Sequence, residues 1–193
     1  MTTAKEDSTI ADEDLLAAMA SGDASAARRL SARLAPVAFR VAYRMLGDRA
    51  EAEDVAQESL LRLWRIAPDW RTGNARVTTW LYRVASNLAT DRLRRNPSLP
   101  IDAVPEPVSE ERDGEQMLIE ADRARALDAA ILTLPDRQRQ AIVLRYLEGL
   151  GNIEISEIMD LGVEAVESLL SRGKRGLKLV LSPQKEELGY GNA

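Results

Sequence analysis

Apolar residues recur at three- and four-residue intervals along most of this chain, and each run stops at a glycine, a proline or an aspartate. The first run, Leu15, Leu16 and Met19, predicts a short helix capped by Asp12 or Asp14. Gly22-Asp23 breaks the chain before a second helix from about Ala24. Pro36 kinks that helix or opens another, which carries Phe39, Tyr43 and Leu46. After Gly47-Asp48 comes a helix whose inward stripe is Ala56, Leu60, Leu63 and Trp64. Glu51, Asp54 and Glu58 form a separate acidic strip beside Gln57 on the same helix. Pro68 ends it, and residues 69–76 read as a loop. Thr78 or Thr79 then caps a long helix with Leu81, Val84, Ala85 and Leu88 as its inner face.

The helical period disappears from Asn96 to about Glu115, where Pro97, Pro100, Pro105 and Pro107 stand among many acids. That composition favours a solvated, extended linker, the alternative being an ordered loop packed on one block. Periodicity returns near Gln116 with four candidate helices. Leu118, Ala121, Arg125 and the run Leu127 to Leu132 form the first. Pro135, in the favoured first-turn position, starts the second, which Gly149 ends. Ile153 to Met159 form a short third helix. After Asp160-Leu161-Gly162, Val163 to about Leu181 form the fourth. A short helix, a tight turn with glycine and a longer helix make the helix-turn-helix arrangement. The expected fold is therefore all-α: two small helical domains, 1–96 and 116–193, joined by a flexible, acidic, proline-rich linker at 97–115.

Composition supports this picture and narrows the chemistry. Of 193 residues, 45% are apolar but only 4% aromatic, with Ala, Leu, Arg and Glu abundant, which suits tightly packed helices. No apolar run is long enough to span a membrane, and the polar, acidic start lacks the pattern of a signal peptide, so a cytoplasmic protein is expected. Cysteine and histidine are both absent. That removes thiol switches, disulfides, Cys/His zinc sites and histidine acid–base chemistry. No metal site, cofactor or enzymatic activity is expected, and any redox or metal sensing falls to a partner. The net charge of −5 is unevenly spread. Residues 1–96 carry a surplus of two cations, residues 97–126 a surplus of five anions, and the remainder a surplus of two anions. Distribution, more than the total, governs a binding surface.

Three constellations stand out. The last helix holds Ser168, Ser171, Arg172, Lys174, Arg175 and Lys178, with no acid between Ser168 and Pro183. A second helix of this kind enters the DNA major groove, where Arg and Lys reach bases or phosphates. The alternative is a solvated helix end whose cations favour the C-terminal dipole. Glu164 and Glu167 occupy its early turns and would repel phosphate. In the first block, the loop residues Thr72, Gly73, Asn74 and Arg76 precede Arg83, Asn87, Arg94 and Arg95, and six of the eight aromatics fall in that block. Aromatics beside a basic loop can stack on unpaired bases, although Trp64, Trp80 and Phe39 also suit a core. The acidic strip reads equally as a solvated face or a docking surface, and a paired-carboxylate site there lacks any substrate pocket or phosphate loop.

Together these elements resemble a bacterial sigma factor of the extracytoplasmic-function class, the smallest form of the sigma-70 family. The resemblance covers roughly residues 12–181. The stretch Leu46-Gly-Asp through Ala52-Glu-Asp-Val-Ala-Gln-Glu58 resembles region 2.2, which implies contact with the clamp helices of the RNA polymerase β′ subunit through Asp54, Gln57, Glu58 and Leu61. Trp70 to Thr79 resembles the region 2.3 loop, and Thr79-Trp-Leu-Tyr-Arg-Val-Ala-Ser-Asn87 through Arg95 resembles region 2.4; both imply recognition and opening of the −10 promoter element. Leu132-Thr-Leu-Pro135 through Leu177 resembles region 4, which implies binding of the −35 element and the flap of the β subunit. Two departures matter. Glu164-Ala-Val-Glu-Ser-Leu169 stands where the family commonly reads Gly-Thr-Val-Lys-Ser-Arg, so the −35 contacts carry over only to Ser168, Ser171, Arg172, Lys174 and Arg175. Gly151-Asn-Ile likewise replaces the commoner Ser-Tyr-Glu. The resemblance also implies an anti-sigma factor, of a zinc-binding kind, that holds the protein inactive until a stress signal arrives. The competing class is a stand-alone helix-turn-helix regulator; a third is a polymerase-binding inhibitor that makes no DNA contact.

Overall fold

A computed structural model describes residues 10–71, 76–95 and 114–184 of the chain. Helix α1 spans Asp12–Ala20 and α2 spans Ala24–Leu46. Helix α3 spans Arg49–Ile66 and α4 spans Val77–Arg95. The Asp23 carboxylate accepts from the backbone N–H groups of Ser25 (2.7 Å) and Ala26 (3.2 Å), which satisfies two orphan donors at the start of α2. Asp48 does the same for α3 through the Glu51 N–H at 2.8 Å.

Several details of the sequence reading are corrected. Neither Asp12 nor Asp14 caps α1; Ala11 holds that position without a side-chain bond. The first-turn acids serve tertiary contacts instead: Asp12 pairs with Arg33 at 3.1 Å, and Glu13 accepts the Val77 N–H at 3.1 Å. That second bond closes the start of α4, so Thr78 and Thr79 lie inside the helix rather than capping it. Pro36 opens no new helix, which leaves the other alternative, a proline inside α2. Proline there leaves the Ala32 carbonyl without its helical donor, but Ala32 and Pro36 are both exposed, so water can replace the bond. Trp64 is 46% exposed and belongs to no inward stripe. At about 100° per residue it lies roughly 100° round from Leu63, and Ala52, Val55, Ala56, Ser59 and Leu63 fill the buried face instead.

The second block begins with α5 (Gly114–Leu132), followed by α6 (Asp136–Ile142), α7 (Asn152–Met159) and α8 (Val163–Leu181). Pro135 stands just before the first helical residue of α6 rather than in its first turn. From Val143 to Leu147 the helix widens to a π-helical turn, and the Glu148 N–H bonds back to the Val143 carbonyl at 3.1 Å. Asp160 takes the left-handed conformation (φ 54°) and Gly162 starts α8, which makes the tight turn between α7 and α8. Helix α8 lies close on α6 because two of its residues lack side chains. A Cβ on Gly173 would stand 2.6 Å from Ile142 Cγ1, and one on Gly176 2.8 Å from Leu134 Cδ2.

The two blocks share one apolar core. Leu16, Leu30, Leu34, Met45, Leu63 and Leu81 are fully buried in the first block, and Ile131, Ile142, Leu144, Ile155 and Ile158 in the second. Helix α2 packs on α5 and α6, and α4 packs on α6 and α7. Gly47, at the left-handed end of α2 (φ 71°), receives the Leu132 side chain from α5: a Cβ there would be 2.6 Å from Leu132 Cδ1. Buried polar groups join the blocks as well. The wholly buried Gln140 donates its amide to Ser86 Oγ at 2.9 Å. Arg139 donates to the Met45 carbonyl across the junction and to the Leu132 and Leu134 carbonyls within its own block. Burial lowers the affinity of that guanidinium for its proton, and the backbone carbonyls compensate part of the lost hydration.

Candidate nucleic-acid interface and docking face

Helix α3 divides its outer surface into two faces. Asp54, Gln57, Leu61 and Trp64 fall within an arc of about 80°, and all four are exposed. Leu61 is 40% and Trp64 46% exposed, so the face combines a carboxylate and an amide with two large apolar side chains. That mixture is typical of a contact surface, where an aromatic anchor sits beside polar groups. Aromatic bulk suggests the core for Trp64, but once Ala52, Val55 and Ser59 define the buried face, the helical period places it outside.

Glu51 and Glu58 lie on the flank of that face and are engaged at home. Glu51 pairs with Arg92 of α4, which also approaches Asp54 at 3.7 Å. Glu58 accepts from Arg62 at 2.8 Å, and that hydrogen bond holds the exposed carboxyl below its usual proton affinity. The acidic strip is therefore partly neutralised, and Asp54 is the most exposed of its three carboxylates.

Helix α4 carries a polar stripe. Arg83, Asn87 and Arg94 lie within about 40° of one another, all exposed, and Arg76, also exposed, stands just before the helix. Arg95 is exposed too but lies roughly 120° round from Arg83. Thr72, Gly73 and Asn74 lie outside the described residues. Trp70 and Trp80 flank that loop edge to face, with ring centroids 6.2 Å apart. Both are partly buried against the core, as is Phe39.

In the second block, Ser168, Ser171, Arg172, Lys174 and Arg175 are all exposed on α8, with Lys174 at the margin of the arc. Arg172 folds back on its own helix, donating to Ser168 Oγ at 3.0 Å and to the Ser168 carbonyl at 3.2 Å. The two early acids differ. Glu167 accepts from Asn152 of α7 at 3.4 Å, whereas Glu164 is exposed on the arc of Ser168 and Arg175. The buried side of α8 is Val166 and Leu170, which meet Ile155 and Ile158 of α7 in the core. No group of acids among the described residues is placed to hold a metal ion, and none of the described helices is long and apolar enough to cross a membrane.

An all-helical chain with a basic stripe on one block and a cation-bearing helix-turn-helix on the other has the layout of a DNA-binding transcription protein. Comparison with known proteins specifies which. A profile for sigma-70 region 2 matches residues 30–98, and one for sigma-70 region 4 matches residues 124–177. The ECF RNA polymerase sigma factor SigW of Bacillus subtilis is 36% identical over 153 residues, covering 72% of this chain and 80% of that protein. The ECF sigma factor SigE of Mycolicibacterium smegmatis is 31% identical over 77% of this chain, which spans 59% of that relative's length. Among solved structures, CnrH in complex with the cytosolic domain of CnrY matches with a TM-score of 0.65 and 26% identity, over 90% of this chain and 99% of that one. The chain belongs to the sigma-70 family, as an extracytoplasmic-function RNA polymerase sigma factor.

Proposed function

We propose that this protein is a promoter-specificity subunit that binds core RNA polymerase and starts transcription at stress-response promoters. Its first domain, 1–96, takes the polymerase and the −10 element; its second, 116–193, takes the −35 element and the β flap; residues 97–115 join them. The observation that carries this reading is the exposed Asp54–Gln57–Leu61–Trp64 face on α3, in the same block as the α4 stripe. A regulator that only bound DNA would have no use for an apolar and acidic face beside its basic one.

In this reading Asp54, Gln57, Glu58 and Leu61 contact the β′ clamp helices. Arg76, Arg83, Asn87, Arg94 and Arg95, with Thr72, Gly73 and Asn74, serve the −10 element. Ser168, Ser171, Arg172, Lys174 and Arg175 serve the −35 element. Guanidinium and ammonium groups supply the phosphate attraction, and the serines and Asn87 supply hydrogen bonds. The protein works in the cytoplasm, catalyses no reaction itself and needs no cofactor. An anti-sigma factor holds it inactive, a reading supported by the similarity to CnrH solved with a bound protein partner, and with no Cys or His in this chain the sensor, zinc-binding in our reading, belongs to that partner. A pull-down with core polymerase separates this from a stand-alone helix-turn-helix regulator: capture of core by the intact chain supports it, and DNA binding without any capture of core refutes it.

A further inference from the structure

We propose that Glu164 reads a base: its carboxylate selects cytosine at one position of the −35 element. The proposal rests on the sigma-factor reading above and adds to it a specificity residue that the family pattern does not supply.

The exposed side of α8 has a centre and two flanks. Val166, Leu170 and Gly173 are its buried residues. Glu164, Ser168 and Arg175 lie within about 30° of the opposite direction, and all three are exposed. Arg172 and Lys174 stand about 50° and about 110° to either side of it. When such a helix lies in the major groove, its outward centre meets base edges and its flanks meet the phosphate strands. The base contacts come mainly from the N-terminal residues. Glu164 is in the first turn of α8 and so stands at the leading end of that centre. The glycine common in the family at this place has no side chain to read with.

The two acids of the early turns are not equivalent. Glu167 accepts from Asn152 Nδ2 of α7 at 3.4 Å, a contact between the two helices of the helix-turn-helix. Arg172 is taken up by the hydroxyl and carbonyl of Ser168. Glu164 takes no hydrogen bond or ion pair among the described residues. An acid in the first turn also favours the macrodipole, but that role requires neither an outward position nor a base. In the groove an ionised carboxylate only accepts, and it gives up water there, so it needs a donor in return. The N4 amino group of cytosine supplies one. Guanine presents N7 and O6 and thymine presents O4, acceptors that repel the carboxylate, and adenine sets its N7 acceptor beside its N6 donor. Cytosine therefore fits best. Repulsion from phosphates is the same for every sequence, so it lowers affinity without creating a preference.

Holoenzyme assembled from core RNA polymerase and the full chain tests this by selecting from promoter fragments whose −35 element is randomised, with the bound fraction sequenced. Glu164→Gln, Glu164→Ala and Glu167→Gln are selected alongside; both positions are exposed, so the core is untouched. With the unaltered chain, one position should prefer cytosine on a fixed strand about tenfold over guanine or thymine. Glu164→Gln should move that position to adenine, whose N6 and N7 pair with a side-chain amide. Glu164→Ala should level it, and Glu167→Gln should leave every position as it was. Unchanged base frequencies in both Glu164 variants would overturn the proposal. So would a gain of affinity spread evenly over all sequences, which would make the acid a mere repeller of phosphate, or the same shift in Glu167→Gln. Failure of every version to bind core would instead overturn the sigma-factor reading.

Discussion

Replacing Gly47 by alanine tests the junction between the blocks with a single methyl group. Two costs add. Gly47 sits at φ 71°, where a residue with a Cβ costs about 1–2 kcal/mol more than glycine. The added Cβ would also stand 2.6 Å from Leu132 Cδ1 and 3.2 Å from Cδ2, both on α5. Overpacking of this kind costs about 1–3 kcal/mol. Leu132 is half-buried and presents its terminal methyls, so it can turn partly aside, and the low end, about 1 kcal/mol, applies. The expected total is about 2–3 kcal/mol. Gly149 provides the control. Its φ is 74°, but nothing lies within 4 Å of a Cβ there, so Gly149→Ala should show the backbone cost alone. With an m value of about 2 kcal/mol per molar urea, the two variants should differ by about 0.5 M in midpoint. Leu132→Ala should abolish the difference, because the methyls that Gly47→Ala strikes are then gone. Equal destabilisation by Gly47→Ala and Gly149→Ala would refute the packing of α5 on α2.

Other expectations follow from the surfaces. Asp54→Arg should abolish core polymerase capture while leaving the helical circular dichroism and urea midpoint unchanged; undiminished capture would remove Asp54 from the contact. Arg172→Ala should weaken promoter binding and reduce the slope of log K against log salt by about one, measured by fluorescence anisotropy; an unaltered slope would mean that this side chain stays folded on Ser168. Burial first, then Glu148, pushes the Tyr82 hydroxyl up to about 12 from its free value of 10.0. The folded value is the higher one, so this contribution is complete below pH 10 and lost between pH 10 and 12. The Arg40, Glu148 and Glu154 charges around it make Tyr82→Phe the discriminating variant: it should lessen the fall in stability across that window, and an identical fall would place the titration elsewhere.

Element identity was legible because helical period and breakers agree. Asp23, Gly47-Asp48 and Asp160-Leu161-Gly162 all end or start helices where sequence placed them, since their caps are local. Details decided by tertiary partners were not legible. Glu13 closes the start of α4 from 64 residues away, which no local capping rule anticipates. Trp64 was misplaced because aromatic bulk outweighed its angular position. The exposed candidates on α3, α4 and α8 emerge from spacing, which fixes the face a helical residue occupies, except Leu61, which only the family resemblance supplies. What spacing could not reveal is how those faces are used at home: Glu51 held by Arg92, Arg172 by Ser168, and Glu148 by Arg40 and Tyr82. These pairings, apart from Arg172 with Ser168, join different helices and depend on how those helices dock.

Transcription reconstituted with core RNA polymerase, this chain and a library of genomic promoter fragments tests the central claim most directly. The account predicts discrete transcripts that start at a defined set of promoters and depend on the chain, with output lost in Asp54→Arg. Absence of any chain-dependent start, while the chain still binds duplex DNA by itself, would contradict it.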